Sequence, residues 1–178
     1  MAFLAEDGTG LEAANSYTDR TFADAFFTDR SNAAWTGSSA VKEVALIKAT
    51  DYIESRFARR FIGTKLTQAQ ALSWPREDAV DGDGYTLADD EVPSRIQRAC
   101  CLYAVRALTA TLMPDPTTDT ASIKSQRDKI GPIETETEYR SGSAGGTQLV
   151  SGENIPEYPE ADLLIEPLLK RGGSLVRA

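Results

Sequence analysis

The segment Ser39–Gly63, SAVKEVALIKATDYIESRFARRFIG, decides the fold. Leu46, Ala49, Ile53, Phe57 and Phe61 recur at steps of three and four, so one apolar stripe runs along it. Asp51, Glu54, Arg56, Arg59 and Arg60 fall mostly off that stripe. The spacing predicts a helix over about 40–62, with Ser39 as its cap and Gly63 just past its end. The three arginines of RFARR lie in its last turns. There they complement the helix dipole, stay solvated or pair with another subunit, in preference to contacting nucleic acid.

Two more helices flank this one. Thr18 is placed to cap the first and Asp19 to sit in its first turn, and Phe22, Ala23, Phe26 and Phe27 give it one strongly apolar face. Trp35 follows in the connection. The third helix opens within DDEVPSRIQRACCLYAVRALTATLMP, residues 89–114, with Pro93 at its first helical position. Ile96, Cys100, Tyr103 and Ala107 form its stripe, Ala104 and Leu108 widen it, and Pro114 and Pro116 end it.

Beyond residue 114 the character changes. Residues 115–128 are polar, and then KIGPIETETEYR alternates. Ile133, Thr135, Thr137 and Tyr139 fall on one face, and Glu134, Glu136 and Glu138 on the other. Period two predicts a strand in a hairpin or small sheet. SGSAGGTQLVSGEN, residues 141–154, has linker composition. The closing YPEADLLIEPLLKRGGSLVRA predicts a short amphipathic helix bent at Pro167, an arm for docking on a partner rather than on its own body. The expected class is therefore mainly α: a small helical bundle with a short β-hairpin or strand and an extended C-terminal arm. Its parts are a helical body (1–114), a polar loop and β segment (115–140), a Gly/Ser-rich linker (141–158) and the arm (159–178).

Composition narrows the chemistry. The 178 residues carry 27 acidic and 19 basic side chains, a net charge of −8. That balance disfavours non-specific nucleic-acid binding, which needs clustered Lys and Arg. An acidic surface can still line a passage for DNA without holding it. There is no histidine, which removes the Ser-His-Asp and Cys-His nucleophile systems. The two cysteines, Cys100 and Cys101, are adjacent; they read as small helix residues with at least one buried. No secretory signal, membrane span or phosphate-binding loop is expected. No catalytic residues, metal or cofactor are assigned, and no enzyme activity is expected.

LSWPREDAVDGDGY, residues 72–85, has the composition of a calcium loop. Taking Gly84 as the sharp-turn glycine puts Asp81 and Asp83 at the third and fifth positions. Ala79 then fills the first and Asp90 the twelfth, so both anchors fail. The alternative is architectural. Trp74 and Pro75 form a packed joint between the second and third helices, and Asp81–Gly84 an exposed turn with Gly82 and Gly84 at positive φ.

The order of landmarks resembles the head–tail adaptor (connector) proteins of tailed phages, some of which are catalogued as DnaT-like single-stranded-DNA-binding proteins. The landmarks are EDGTGLEAANSY, ATDYIESRF, Trp74-Pro75-Arg76 with its Asp-Gly turn, Val92-Pro93, Gly131-Pro132-Ile133 and PEADLLIEPLL. They span nearly the whole chain. The resemblance implies a structural virion protein, assembled in the host cytoplasm, that forms an oligomeric ring of about twelve copies between portal and tail and extends the DNA channel. The implied partners are the portal protein, a stopper or tail-completion protein, other copies of the chain, and passing double-stranded DNA, with no membrane. Leu163, Leu164, Leu168, Leu169, Leu175 and Val176 are the portal-docking candidates. Asp81, Asp83, Tyr85, Asp89 and Asp90 are candidates for subunit or tail-side contacts, and Glu134, Glu136 and Glu138 for the channel lining. Trp74, Pro75 and Pro93 are structural. The alternative reading is a single-stranded-DNA-binding replication accessory protein.

Overall fold

The computed structural model describes residues 2–114, 125–130, 133–138 and 156–170, and within them the protein is mainly helical, as expected. α1 (Arg20–Thr28) is capped by Asp19, not Thr18: the Asp19 carboxylate accepts the Phe22 N–H at 2.8 Å. A carboxylate there supplies a hydrogen bond and a favourable charge together. Ala23, Phe26 and Phe27 are buried. Trp35 stacks on Phe27 with ring centroids 4.8 Å apart.

α2 (Ser39–Phe57) follows, capped by Ser38 rather than Ser39; the Ser38 hydroxyl accepts the Val41 N–H at 3.4 Å. Leu46, Ala49, Ile53 and Phe57 are buried along the expected stripe. The helix stops at Phe57, several residues early. Ala58–Arg60 tighten into a 3-10 turn, and Phe61 leaves in extended backbone. Tertiary pairing explains the early stop. Phe61 bridges Leu169 antiparallel, the Ile62 N–H donates to the Leu168 carbonyl at 3.0 Å, and the Lys170 N–H donates to the Arg60 carbonyl at 2.7 Å.

Gly63 does not cap the helix. Its φ of +69° brings its backbone against the Glu77 carbonyl and Ala79, where a Cβ has no room. This close approach lets β1 (Thr64–Lys65) pair antiparallel with β2 (Arg76–Glu77). The loop between these strands carries Trp74, fully buried and edge-on to Phe61 at 5.8 Å. Pro75 is buried beside it.

α3 (Ser94–Ala107) begins one residue later than expected, leaving Pro93 at the cap position. Ile96, Cys100, Tyr103 and Ala107 are buried, and so are Ala99, Cys101 and Ala104. α3 is covered on more than one side because it packs against α2 and also against α4 (Pro159–Ile165).

That second contact corrects the reading of the C-terminal arm. Within the described residues, α4 and the 3-10 turn Glu166–Leu168 lie on the chain's own body and bury Ala161, Ile165, Leu168 and Leu169. Burying each large aliphatic side chain stabilises by about 1.5–3 kcal/mol, enough to favour docking over exposure. Pro167 sits in the 3-10 turn that follows the helix.

Two compact units result. One combines Met1–Leu112 with Tyr158–Ala178, and the other is Met113–Glu157. In the second, β3 (Ser125–Ile130) pairs antiparallel with β4 (Ile133–Glu138). The expected strand is therefore one arm of a hairpin; the other arm lies in a stretch whose composition reads only as polar. The register sets Lys129 across from Glu134, Arg127 across from Glu136 and Ser125 across from Glu138.

Candidate functional site

The polar residues that look most like chemistry are used inside the body. Arg76 is 8% exposed, and its guanidinium serves three backbone carbonyls. Nε donates to Ile62 at 2.6 Å, Nη1 to Ser73 at 3.0 Å and Nη2 to Gly63 at 2.7 Å. One planar fork thus satisfies three carbonyls where α2 gives way to β1 and β2. Burial lowers the pKa of the group. Next to it, the Glu54 carboxylate accepts the Tyr17 hydroxyl, the Ser73 N–H at 3.0 Å and the Ser73 hydroxyl at 2.7 Å. Burial, and then the Glu54 charge, push the Tyr17 phenol up. Tyr17 is therefore a neutral donor. At the N-terminus, the buried Glu6 carboxylate accepts the N–H groups of Gly8 at 3.1 Å, Gly10 at 2.9 Å and Leu11 at 3.0 Å, which holds the EDGTG loop closed.

A second cluster locks α4 down. Arg56 meets Asp162 at 2.9 Å, with the two side chains only 13% and 18% exposed. The Asp162 carboxylate also accepts the Tyr103 hydroxyl and, at 3.0 Å, the Tyr158 N–H. Arg56 donates to the Tyr52 hydroxyl at 2.6 Å. The rings of Tyr52, Tyr103 and Tyr158 pack mutually, with centroids 4.7 to 5.9 Å apart. Burial would lower the Arg56 pKa, but Tyr52 and Asp162 beside it hold it above its usual value. The first arginine of RFARR is therefore an internal ion-pair partner. Arg59 and Arg60 are exposed.

The Asp-Gly turn reaches the surface. Val80 bridges Thr86, and the Asp81 N–H donates to the Tyr85 carbonyl at 2.9 Å. The Asp81 carboxylate accepts the N–H groups of Asp83 and Tyr85, each at 2.9 Å. One calcium-like aspartate is thus occupied in shaping its own turn. Of the two glycines only Gly84 takes a positive φ, +89°. Among the described residues no group of three or more His, Cys, Asp and Glu side chains is placed to hold a metal ion. Tyr85 projects from the tip, 73% exposed. Beside the turn lies a groove of about 360 Å³, lined by Asp81, Asp83, Glu91, Arg95, Pro167 and Leu168 among others.

The candidate residues therefore separate. Asp81 and Asp83 share the groove with Pro93 and Leu168, and Asp89 and Asp90 are exposed on the loop leading into α3. Leu168 and Leu169, expected to reach a portal, are buried at home by the pairing with Phe61 and Ile62. Leu163 is 63% exposed and Leu164 half-buried on the outer side of α4. Leu175 and Val176 lie outside the described residues. Glu134, Glu136 and Glu138 occupy β4, where the first two are register partners of Lys129 and Arg127. Sequence reasoning missed Glu6, Glu54, Arg76 and Asp162 as organisers. The available signal was charge close to aromatic landmarks for Arg76, after Trp74-Pro75, and for Glu54, between Tyr52 and Phe57; Glu6 and Asp162 carry none.

Among the described residues, no helix is long and apolar enough to cross a membrane. A family model described as "Putative DnaT-like ssDNA binding protein" matches residues 1–178, the whole chain, and the chain belongs to that family. No curated protein and no solved structure matched it.

Proposed function

We propose that this member of the DnaT-like family is a structural docking subunit, a head–tail adaptor of a tailed phage that assembles as a ring between portal and tail. One observation carries the reading. Arg56 and Arg76 are turned inward, while an acidic turn tipped by Tyr85 is turned outward. A surface built this way suits a protein partner with basic and apolar groups better than it suits phosphate. The landmarks shared with adaptor proteins support the same assignment.

On this reading Leu163 and Leu164 of α4 face the portal, and Asp81, Asp83, Tyr85, Asp89 and Asp90 face a neighbouring subunit or the tail side. The test mixes the purified protein with portal rings and images the product by electron microscopy. An added ring of density is expected, and Leu163→Asp should abolish it while leaving the circular dichroism spectrum unchanged. Portal rings that stay bare with the unaltered protein would overturn the assignment.

The family's description names the activity of a second reading, single-stranded-DNA binding, for which exposed Arg59 and Arg60 would be the starting contacts. Anisotropy with labelled oligonucleotides at two salt concentrations separates the two. Sub-micromolar binding that weakens steeply with salt, and is lost in Arg59→Ala/Arg60→Ala, would select the second.

A further inference from the structure

Two exposed features of opposite charge border one stretch of the helical unit. The first is the groove beside the Asp-Gly turn. It sets three carboxylates, Asp81, Asp83 and Glu91, against one guanidinium, Arg95, beside a wall of Pro167 and Leu168. Asp83 and Glu91 are exposed and form no ion pair among the described residues. The second feature is the 3-10 turn Ala58–Arg60, where Arg59 and Arg60 stand exposed, likewise with no ion pair among the described residues. The two features adjoin through the backbone. Leu168 lines the groove and accepts the Ile62 N–H at 3.0 Å, and two residues further on the Lys170 N–H donates to the Arg60 carbonyl at 2.7 Å.

We propose that the groove is a socket for Arg59 and Arg60 of a second copy of the chain. This deepens the adaptor reading and rests on the part of it that sets this face against a neighbouring subunit. Charge complementarity selects the occupant. A guanidinium is planar and weakly hydrated and can bond a carboxylate through two parallel N–H groups, so arginine gains most in a cleft of unpaired carboxylates. The apolar wall suits its methylene stem. The chain presents two such arginines side by side, and within one chain they form no ion pair with the groove. Each copy holds both halves of the contact, so neighbours can satisfy both, as a pair or around a ring. The net charge of −8 makes two copies repel in general, and a local match of opposite charge fixes the orientation in which they approach.

The test uses the full chain and two charge reversals. Arg59→Glu/Arg60→Glu reverses the turn, and Asp83→Lys/Glu91→Lys reverses the groove. Asp81 is left in place because its carboxylate shapes the loop. Sedimentation velocity over a concentration series follows the parent, each variant and their equimolar mixture, with circular dichroism to confirm the fold. The parent should associate reversibly as concentration rises, and each variant alone about ten-fold more weakly. The mixture should associate as the parent does, because the reversed turn then meets the reversed groove. The groove variant is the sharpest case. Its net charge is less negative than −8, so general repulsion alone predicts stronger association, whereas the socket predicts weaker.

A parent that stays monomeric at the highest concentration, variants that associate like it, or a mixture of folded variants that fails to recover would each overturn the socket. So would a turn variant that associates normally but loses oligonucleotide binding, which assigns the arginines to nucleic acid. Imaging with portal rings separates this contact from the adaptor reading. Rings that gain density although the charge swap fails leave the adaptor standing without the socket. Rings that stay bare although the swap works remove the adaptor and leave the contact between copies.

Discussion

Asp162→Ala should loosen the docked C-terminal segment, and its magnitude follows from the contacts it removes. The carboxylate pairs with Arg56 at 2.9 Å, accepts the Tyr103 hydroxyl, and accepts the Tyr158 N–H at 3.0 Å. Removing one partner from a buried ion pair costs about 3–5 kcal/mol. Here the side chains are 13% and 18% exposed, and Arg56 keeps its bond to the Tyr52 hydroxyl at 2.6 Å. Residual hydration and that bond reduce the expected loss to about 2–3 kcal/mol. For a chain of this size the melting temperature should fall by about 5–10 °C. Asp162→Asn keeps the shape and an acceptor, and should lose only about 1 kcal/mol. Urea titration followed by circular dichroism measures both. Amide exchange adds the local readout, because the Ile62 and Lys170 N–H groups are protected only while the segment is docked. A loss below about 0.5 kcal/mol in Asp162→Ala, with those two amides as protected as before, would refute the reasoning.

Arg76→Ala leaves three carbonyls without their donor and should destabilise by about 3 kcal/mol or more, with Arg76→Lys intermediate in the same urea titration. Gly63→Ala places a side chain at φ +69° against Glu77 and Ala79, and should lower stability by at least about 2 kcal/mol in a thermal melt. At Asp24 partial burial opposes the charge, but the Lys42 and Trp35 hydrogen bonds outweigh it and hold the carboxyl below its ordinary value. Its contribution is thus present above the unfolded value of about 3.9 and is lost as pH falls through the lower folded value. Asp24→Asn should therefore melt earlier than the parent protein at pH 7, and the gap should close toward pH 3, as melting curves across that range will record.

The stripes of α1, α2 and α3 were legible because helical periodicity is local: Leu46, Ala49 and Ile53, or Ile96, Cys100 and Tyr103, are neighbours on one face whatever else surrounds them. The hairpin was half legible for the same reason. β4 alternates strictly, while SQRDKI in β3 offers only one apolar residue, and it is its pairing that makes it a strand. The end of α2 was not legible. What stops the helix at Phe57 is the bridge to Leu169, which lies more than a hundred residues away in sequence. Asp162 was hidden likewise, since nothing in YPEAD announces that its acid meets Arg56.

The docked C-terminal segment also changes what a truncation can reveal. Cutting after Asn154 takes away the Asp162 partner of Arg56 and the Leu169 partner of Phe61, and strips Tyr158 from the rings of Tyr52 and Tyr103. A protein cut there exposes an apolar groove and weakens its own body, so failure to reach a portal would follow from damage as readily as from a missing contact. Leu163 escapes that ambiguity. It is on the same helix as Asp162 yet 63% exposed, so a charge placed there alters the outer face of α4 and leaves the docked contacts intact. The inward face of the segment and its outward face are thus separable: the first holds the segment on its own body, and the second is free to meet a different protein.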